Sequence, residues 1–569
     1  MSAIDLRKHG QLDHQLKIKF EEVLEECVDP FHKYIEDISR GVSDNIDWWV
    51  STPVSRDTLY SNLFHNFTIL FFLRRLIEEK TQFHTVIIDD IYLKEIILEL
   101  FELNNKEISI LVEDEGKYQV SFVRNLYEVM RFHFLFFIKL IICKLLIRRK
   151  VKKTAITNDL ILIDTFFLYS FKNKERYFDG LMDNLSKEDQ ENIFFVPSIV
   201  EEKIPEIYRS VKFLKSNPDK YLLKEEFINF KDLIFTFGYF FRKNKIKFEK
   251  IKVLECSFYK LVHAELLHLN RFLMSIEGLL SYRFVKNLNK REIGIKGSIN
   301  WCENQPIDKG WNLGFNSYYK HSHNIGYRGL VPANYFLSQK YITDFEFENK
   351  VTPREIYTVG DNKGLEANRF TKKTELIAGP AFRFKYLWDE LKRDKKTENQ
   401  IFVALPITLN QSIVIMEAIN SLNSDLGDEE VQFLIKAHPA MQISLLLGNL
   451  SFSISENMTF TSEEASVILM KSSLIISGMS SICLEACAVG VPLVVFNASD
   501  LIKFNSLPNN ISKEIWRDVS NHKDLCDEVK FFLNMEHSDK EKISSYSKEV
   551  KKHNFKPVNK VTVKKLLNL

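Results

Sequence analysis

Glycine and proline are scarce, at 19 and 14 of 569 residues, which excludes collagen-like repeats and long disordered segments. Neither sign of charge dominates: 78 Lys and Arg stand against 76 Asp and Glu, a net of +2. A chain-wide nucleic-acid binder would carry a basic excess, so that class is excluded. No apolar run reaches the roughly 18 residues of a membrane-spanning helix. The seven cysteines include no Cys-x-x-Cys pair and no zinc spacing, which fits a reduced, cytoplasmic chain rather than a disulfide framework. The stretch Met1–Gln15 is polar, so no secretory signal is expected. No Gly-x-x-x-x-Gly-Lys-Ser/Thr loop is present, which excludes a P-loop NTPase.

What remains is ordinary globular composition, 45% apolar and 27% charged, with an unusual 46 phenylalanines. Short apolar runs alternate with amphipathic stretches. Strands are expected at Ile46–Ser51, His84–Asp90, Ile108–Asp114, Leu160–Asp164, Asn192–Pro197 and Glu355–Gly360, the last of the first half. After the charged stretch Lys392–Asn399 the alternation resumes, with strands at Gln400–Pro406, Val431–Ala437, Leu474–Ser477 and Val491–Phe496. Buried strands alternating with helices give parallel sheets covered on both faces. The segment Val123–Lys153 is apolar, interrupted by Lys139 and Lys144, and ends in a basic cluster. It is either a core helix with a solvated end or a helix lying on an anionic membrane surface.

Three short constellations carry chemistry. In Ile475–Val495 a strand runs through Gly478, Ser480 and Ser481 into a helix and out through a Gly-x-Pro turn. Gly478 allows a tight turn, and the two serines either cap the helix or offer hydroxyls and free N–H groups to a phosphate. Glu485, one turn on from Ser481, can accept from ribose hydroxyls. Lys436-Ala437-His438-Pro439 ends another strand; proline holds His438 extended, so its ring is aimed. Asp114-Glu115-Gly116 ends a strand of the first half, where mutual repulsion can make one carboxylate a usable base, or it is a solvated loop. Trp301, Glu303, Asn304, Gln305, Asp308, Lys309 and Trp311 cluster in sequence, either as an acceptor-sugar surface, with Glu303 a competing base, or as buried packing. His321 and His323, and the pair Cys483 and Cys487, are expected to be structural.

Together these features resemble GT-B glycosyltransferases. The acidic pair before Gly116, the His438-Pro439 motif and the Ser480-Ser481 motif are similar to bacterial sialyltransferases, polysialyltransferases and Kdo transferases, which use CMP-activated acidic sugars. That resemblance implies Glu115 (with Asp114) as general base, His438 and Pro439 on the CMP, and Ser480 with Ser481 on its phosphate. Gly116 is followed by Lys117-Tyr118, so the longer Kdo signature is absent. The whole chain also looks like bacterial surface-carbohydrate biosynthesis proteins, through Asp47-Trp-Trp-Val with Ser55-Arg56, Glu175-Arg-Tyr-Phe178, Trp301-Cys-Glu-Asn-Gln305 and Gly379-Pro-Ala-Phe-Arg383. The absence of any Asp-x-Asp disfavours the metal-dependent GT-A type.

The expectation is therefore an α/β protein of GT-B class: two Rossmann-like doubly wound domains facing a cleft, with helical insertions in the N-terminal half. An acceptor-side domain spans 1–390, a nucleotide-sugar-binding domain 391–540 and a basic tail 541–569. The resemblance implies sugar transfer, inverting by analogy with the CMP-sugar enzymes, from a nucleotide sugar to a glycan or lipid-linked acceptor in O-antigen, capsule or LPS synthesis. Catalysis would fall to Glu115 or Glu303 with Asp114 and His438, and donor binding to Lys436, Pro439, Gly478, Ser480, Ser481 and Glu485. No metal, resident cofactor or nucleic acid is expected. The protein would be cytoplasmic, with peripheral contact to the anionic inner membrane surface. A sugar-nucleotide 2-epimerase-like enzyme and a non-catalytic GT-B-like scaffold remain the alternatives.

Overall fold

The computed structural model describes residues 3–113, 122–146, 159–172, 175–267, 272–361, 369–388, 399–427, 431–439, 441–478, 480–497 and 501–569. Their strands form three parallel sheets.

The first sheet is small: β1 (Ala3–Asp5), β2 (Thr85–Ile88) and β3 (Ser109–Val112), in the order β1-β2-β3. Helices pack it into a core of its own, with Leu63–Glu78 buried along most of its length. The expected strand at Ile46–Ser51 is instead the short helix Ile46–Trp49. Asn45 caps it by accepting from the Asp47 amide, and Thr52-Pro53 opens a second short helix, Thr52–Ser55. The apolar run looked like a strand because both indoles are buried, their N–H groups donating to Ser39 Oγ and to the Ser43 carbonyl. The Asp47 carboxylate is held by both Nε and Nη2 of Arg242, so this motif is a seam between elements.

The second sheet comprises β4 (Leu160–Phe167), β5 (Ile193–Ile199), β6 (Ile295–Trp301), β7 (His323–Arg328), β8 (Glu355–Thr358) and β9 (Glu375–Ala378). Its order is β5-β4-β6-β7-β8-β9. The strand expected to close this half, β8, is followed by β9, which pairs with it in parallel. The third sheet holds β10 (Gln400–Ala404), β11 (Gln432–Lys436), β12 (Met458–Phe460), β13 (Leu474–Ser477), β14 (Leu493–Phe496) and β15 (Trp516–Val519), in the order β12-β11-β10-β13-β14-β15. Its central strands are continuous apolar runs, as burial on both faces requires.

These two doubly wound sheets make the GT-B arrangement expected from the sequence. Open α/β sheets bind ligands outside the carboxyl ends of the strands where the winding reverses. Here those points fall between β4 and β6 in one sheet and between β10 and β13 in the other.

The C-terminal segment is folded onto the second sheet. After helix His537–Asn554 the Lys556 amide donates to the Val359 carbonyl, and the Ala381 amide donates back to Lys556. Phe555 stacks near Phe384, and helix Lys560–Leu567 buries Val563, Leu566 and Leu567 in the core shared by both large sheets. Among the described residues no helix is long and apolar enough to cross a membrane.

Candidate functional site at the cleft

The sequence around β9 explains how one guanidinium reaches the cleft. The Tyr327 hydroxyl donates to the Pro380 carbonyl at 2.7 Å and accepts from the Phe382 amide at 3.2 Å. That clamp fixes the start of the 3-10 helix Phe382–Leu387. The backbone kinks at Phe384, between Arg383 and Tyr386, so their placing rests on their contacts and not on a regular helical repeat. The Arg383 guanidinium lies over the Trp301 ring, 5.8 Å from its centre. The Tyr386 hydroxyl donates to Glu485 Oε2 at 2.5 Å, joining the second sheet's half of the cleft to the third's.

Trp301 ends β6 and is itself buried. Tyr177 meets it edge-on at 4.8 Å, and Phe178 packs among Trp301, Tyr327 and Phe382. A Cβ on Gly329 would fall 2.2 Å from the indole, so only glycine lets the ring lie here. Glu303 follows at the switch point of the second sheet. Its Oε1 accepts from the Trp301 indole at 2.7 Å and its Oε2 from the Gln339 amide at 3.2 Å. Loss of water raises its pKa, despite those two donors and the nearby Arg383 charge.

On the facing half, His438 follows β11 and is half-buried. Its pKa is lowered, first by loss of water and then by the positive charges of Arg176 and Arg383. Glu485, on helix Ile482–Val489, has its pKa raised to about 6 by burial, against the opposing donors Tyr386 and Ser481 and the Arg383 charge. The cleft thus brings together two guanidinium groups, an imidazole held neutral and two carboxyls that resist ionisation. Such groups of opposite tendency are suited to an anion and to proton transfer beside it.

The other sequence-marked residues divide. Ser480 and Ser481 sit at the switch point of the third sheet, beside the end of β10. The Ser480 carbonyl accepts from the Cys483 amide and the Ser506 hydroxyl. Ser481 precedes the helix but its side chain makes no cap; the hydroxyl bonds Glu485 instead. The Glu485 carboxylate is accordingly occupied by Tyr386 and Ser481 rather than standing open. Gly478 has no left-handed backbone. A Cβ there would stand 3.1 Å from Ile415 Cδ1 and 3.3 Å from Pro406 Cγ, so a larger residue needs those side chains to shift by a few tenths of an ångström. Lys436 extends its ammonium to the Glu463 carbonyl at 2.6 Å, and Pro439 is exposed in the following turn.

Asp114 and Glu115 lie outside the described residues. The strand before them, β3, is an edge of the small sheet and not part of either large one, and its next residue, Glu113, pairs with Arg7.

The neighbours proposed as a sugar surface are buried and internally committed. Lys309 pairs with Glu346, which also holds Arg56 at 2.8 Å. Asn304 accepts from Lys309 at 2.8 Å, and Gln305 donates to Asp57 at 2.7 Å. Asp308 caps helix Pro306–Tyr318, accepting from the Glu303 and Gln305 amides, and burial raises its pKa to about 8. Trp311 is in the core. Of that cluster Glu303 borders the cleft, together with Trp301 beneath the Arg383 guanidinium.

Arg383, Arg176, Tyr386 and Gln339 were not singled out by chemistry in the sequence. The signal for two of them was present, in Gly379-Pro-Ala-Phe-Arg383 and Glu175-Arg-Tyr-Phe178. Among the described residues no group of three or more His, Cys, Asp or Glu is arranged to hold a metal ion. Cys483 and Cys487 are buried without a disulfide. A separate cavity of about 1050 Å³ opens between the small sheet's helices and the insertion, lined by residues such as Tyr92, Phe240, Lys243 and Tyr259. It shares no lining residue with the cleft.

No family model and no curated protein matches the sequence. Solved structures do resemble the chain. TarM is 13% identical with a TM-score of 0.41, over 73% of this chain and 99% of TarM. The UDP-GlcNAc 2-epimerase from Neisseria meningitidis bound to UDP-GlcNAc is 10% identical at 0.38, over 72% and 98%. The glycosyltransferase SnogD from Streptomyces nogalater is 10% identical at 0.38, over 72% and 100%. Scores this low add nothing to the arrangement already given by the strand orders.

Proposed function

We propose that the protein is a glycosyltransferase that takes a sugar from a nucleotide-sugar donor bound in the cleft. The observation that carries this reading is the convergence of Arg383 and Arg176 on His438, opposite Glu303, with both switch points contributing. The donor phosphate would lie between Arg383, His438 and the start of helix Ile482–Val489, where helix amides and Ser480 favour an anion. Arg383 and Arg176 would supply the positive charge that stabilises the departing phosphate. His438, neutral before binding, would gain a proton or donate a hydrogen bond as negative charge builds beside it. Glu303, with its raised pKa, would take the proton of the acceptor hydroxyl as the glycosidic bond forms and the phosphate bond breaks. Glu115 remains a competing base. Direct displacement would invert the anomeric centre. The sequence resemblance points to a CMP-activated acidic sugar and to a surface-polysaccharide or lipid-linked acceptor.

The test is thermal unfolding of the protein and of Arg383→Ala with CMP, UDP, GDP and their sugar conjugates, with and without EDTA. A nucleotide at a hundred times its Kd should stabilise the wild type by about 2.7 kcal/mol. The expected result is selective stabilisation by CMP, insensitive to EDTA and lost in Arg383→Ala. Stabilisation by UDP alone, with breakdown of a UDP-sugar in the absence of any acceptor, would replace transfer by epimerase chemistry. No response to any nucleotide would overturn the enzyme reading in favour of a scaffold.

A further inference from the structure

Helix Phe122–Leu145 has two apolar faces. One is buried: Val129, Phe136, Leu140 and Cys143 pack inward, and Lys139 is drawn in with them to donate to the Ile199 carbonyl at 2.6 Å. The other faces water. Tyr127, Met130, Phe134, Phe137 and Ile141 recur at intervals of three and four residues, and each is 40–61% exposed. At 1.5 Å per residue they form a stripe about 20 Å long. It widens sideways, because Phe137 meets Phe230 of helix Phe230–Phe237 at 6.4 Å and Phe230 is 64% exposed. Isolated exposed apolar side chains are normal, but a continuous patch of this kind marks a docking surface.

The basic composition of the sequence running on from the stripe identifies its occupant. Residues 129–158 contain eight Lys and Arg and no Asp or Glu; of these Lys139 is buried and Arg131 pairs with Glu128 and Glu202. Among the described residues, Lys144 stands exposed just beyond Ile141 and Lys231 beside Phe230. A second copy of this face would bring like charges together. An anionic lipid surface supplies both an apolar layer for the rings and negative headgroups for the cations.

We infer that this face lies on an anionic membrane surface, with helix Phe122–Leu145 in the plane of the interface and its stripe in the headgroup–acyl boundary. The inference does not depend on what the cleft binds.

The test is flotation of the full-length protein with vesicles of phosphatidylcholine, and with vesicles also carrying about 30 mol% phosphatidylglycerol. It is run at about 0.05 M and about 0.5 M salt, since screening separates the charge contribution. The wild type should bind the anionic vesicles, more weakly at high salt. The double variant Phe134→Gln/Phe137→Gln, and independently Met130→Gln, should weaken binding, about tenfold or more for the double variant. Thermal unfolding should be unchanged, because those side chains already face water. Absence of binding at low salt overturns the inference. So does equal binding by the folded double variant, which would leave charge alone as the cause. A lipid-free dimer that the double variant dissolves, with no vesicle binding by the wild type, would assign the face to a second copy instead.

Discussion

Two charged clusters meet in sequence at Glu303 and Asn304 and behave in opposite ways. In the first, Glu346 accepts from Arg56, Lys309, Asn304 and its own cap at Thr343. All are buried, and despite the desolvation that opposes it, the two cations drive the Glu346 pKa far down. Two cations share one carboxylate, and the cluster ties the small sheet's Arg56 to the second sheet's layer. In the second, at the cleft, Arg383 lies over an indole rather than on a carboxylate. His438 titrates low, and Glu303 and Glu485 titrate high. A buried network of opposite charges holds the fold. Charges arranged so that each shifts away from its ordinary protonation leave electrostatic demand for a ligand to meet.

Substitutions can break that contrast. The largest expected effect is on the closed cluster. Glu346→Ala leaves Arg56 and Lys309 buried without a counter-charge and should cost about 3–5 kcal/mol of stability, read by denaturant unfolding. An unchanged midpoint would mean the cluster is hydrated rather than buried. Next, Glu303→Gln should lower kcat by about 10²–10⁴-fold with KM little changed. Its stability at neutral pH should hold or rise, since a carboxyl with a raised pKa costs stability once ionised. A melting point that falls with activity intact would make Glu303 a packing residue.

Glu485 offers a smaller test in pH. Its folded pKa of about 6 lies above its ordinary 4.5. Between those values the native state keeps a proton that the unfolded chain has released. Its contribution is therefore fully present below pH 4.5 and is lost as pH rises through 6, a change of about 2 kcal/mol. Glu485→Gln should flatten unfolding stability across that window; an identical pH profile in the variant would remove Glu485 as the cause. The smallest effect is on His438. Arg383→Ala should move its titration upward, towards the ordinary value, in an NMR pH series. No movement would mean that burial and Arg176 set it without Arg383.

Much of the architecture was legible because it follows from local pattern. Leu474–Ser477 and Leu493–Phe496 are short apolar runs bounded by turn residues, and both are strands of the third sheet. The carboxyl end of Leu474–Ser477 then fixes where Ser480 and Ser481 stand, as that of β11 fixes His438. Legibility failed where pattern was ambiguous. Ile46–Ser51 is apolar and bulky, but Asn45 and Pro53 make it helical. The edge strands β9, β12 and β15 are short and half-polar, and the central strands β6 and β7 run through a stretch rich in Asn, Gly and aromatics, so periodicity gave no sign of any of them.

At the site, residue type marked Glu303 and His438, which lie at the carboxyl ends of β6 and β11. It also marked Asn304, Gln305, Asp308 and Lys309, which the structure commits to internal partners. Spacing in sequence cannot distinguish these cases, because residues 303 and 309 lie on the same segment and differ only in which side of β6 and its helix they face.

The sequence by itself determined the alternation of strand and helix, the two doubly wound sheets and the placing of polar motifs at strand ends, since these depend on periodicity and turn chemistry close along the chain. The tertiary structure alone decided that the first three strands form a separate sheet and that the C-terminal helices return to the second. It also decided that Arg383, Arg176 and Tyr386 join His438, Glu303 and Glu485. Charge, burial and pKa arise from groups more than a hundred residues apart in the chain, such as Arg176, His438 and Glu303, and only folding sets the distances through which they act.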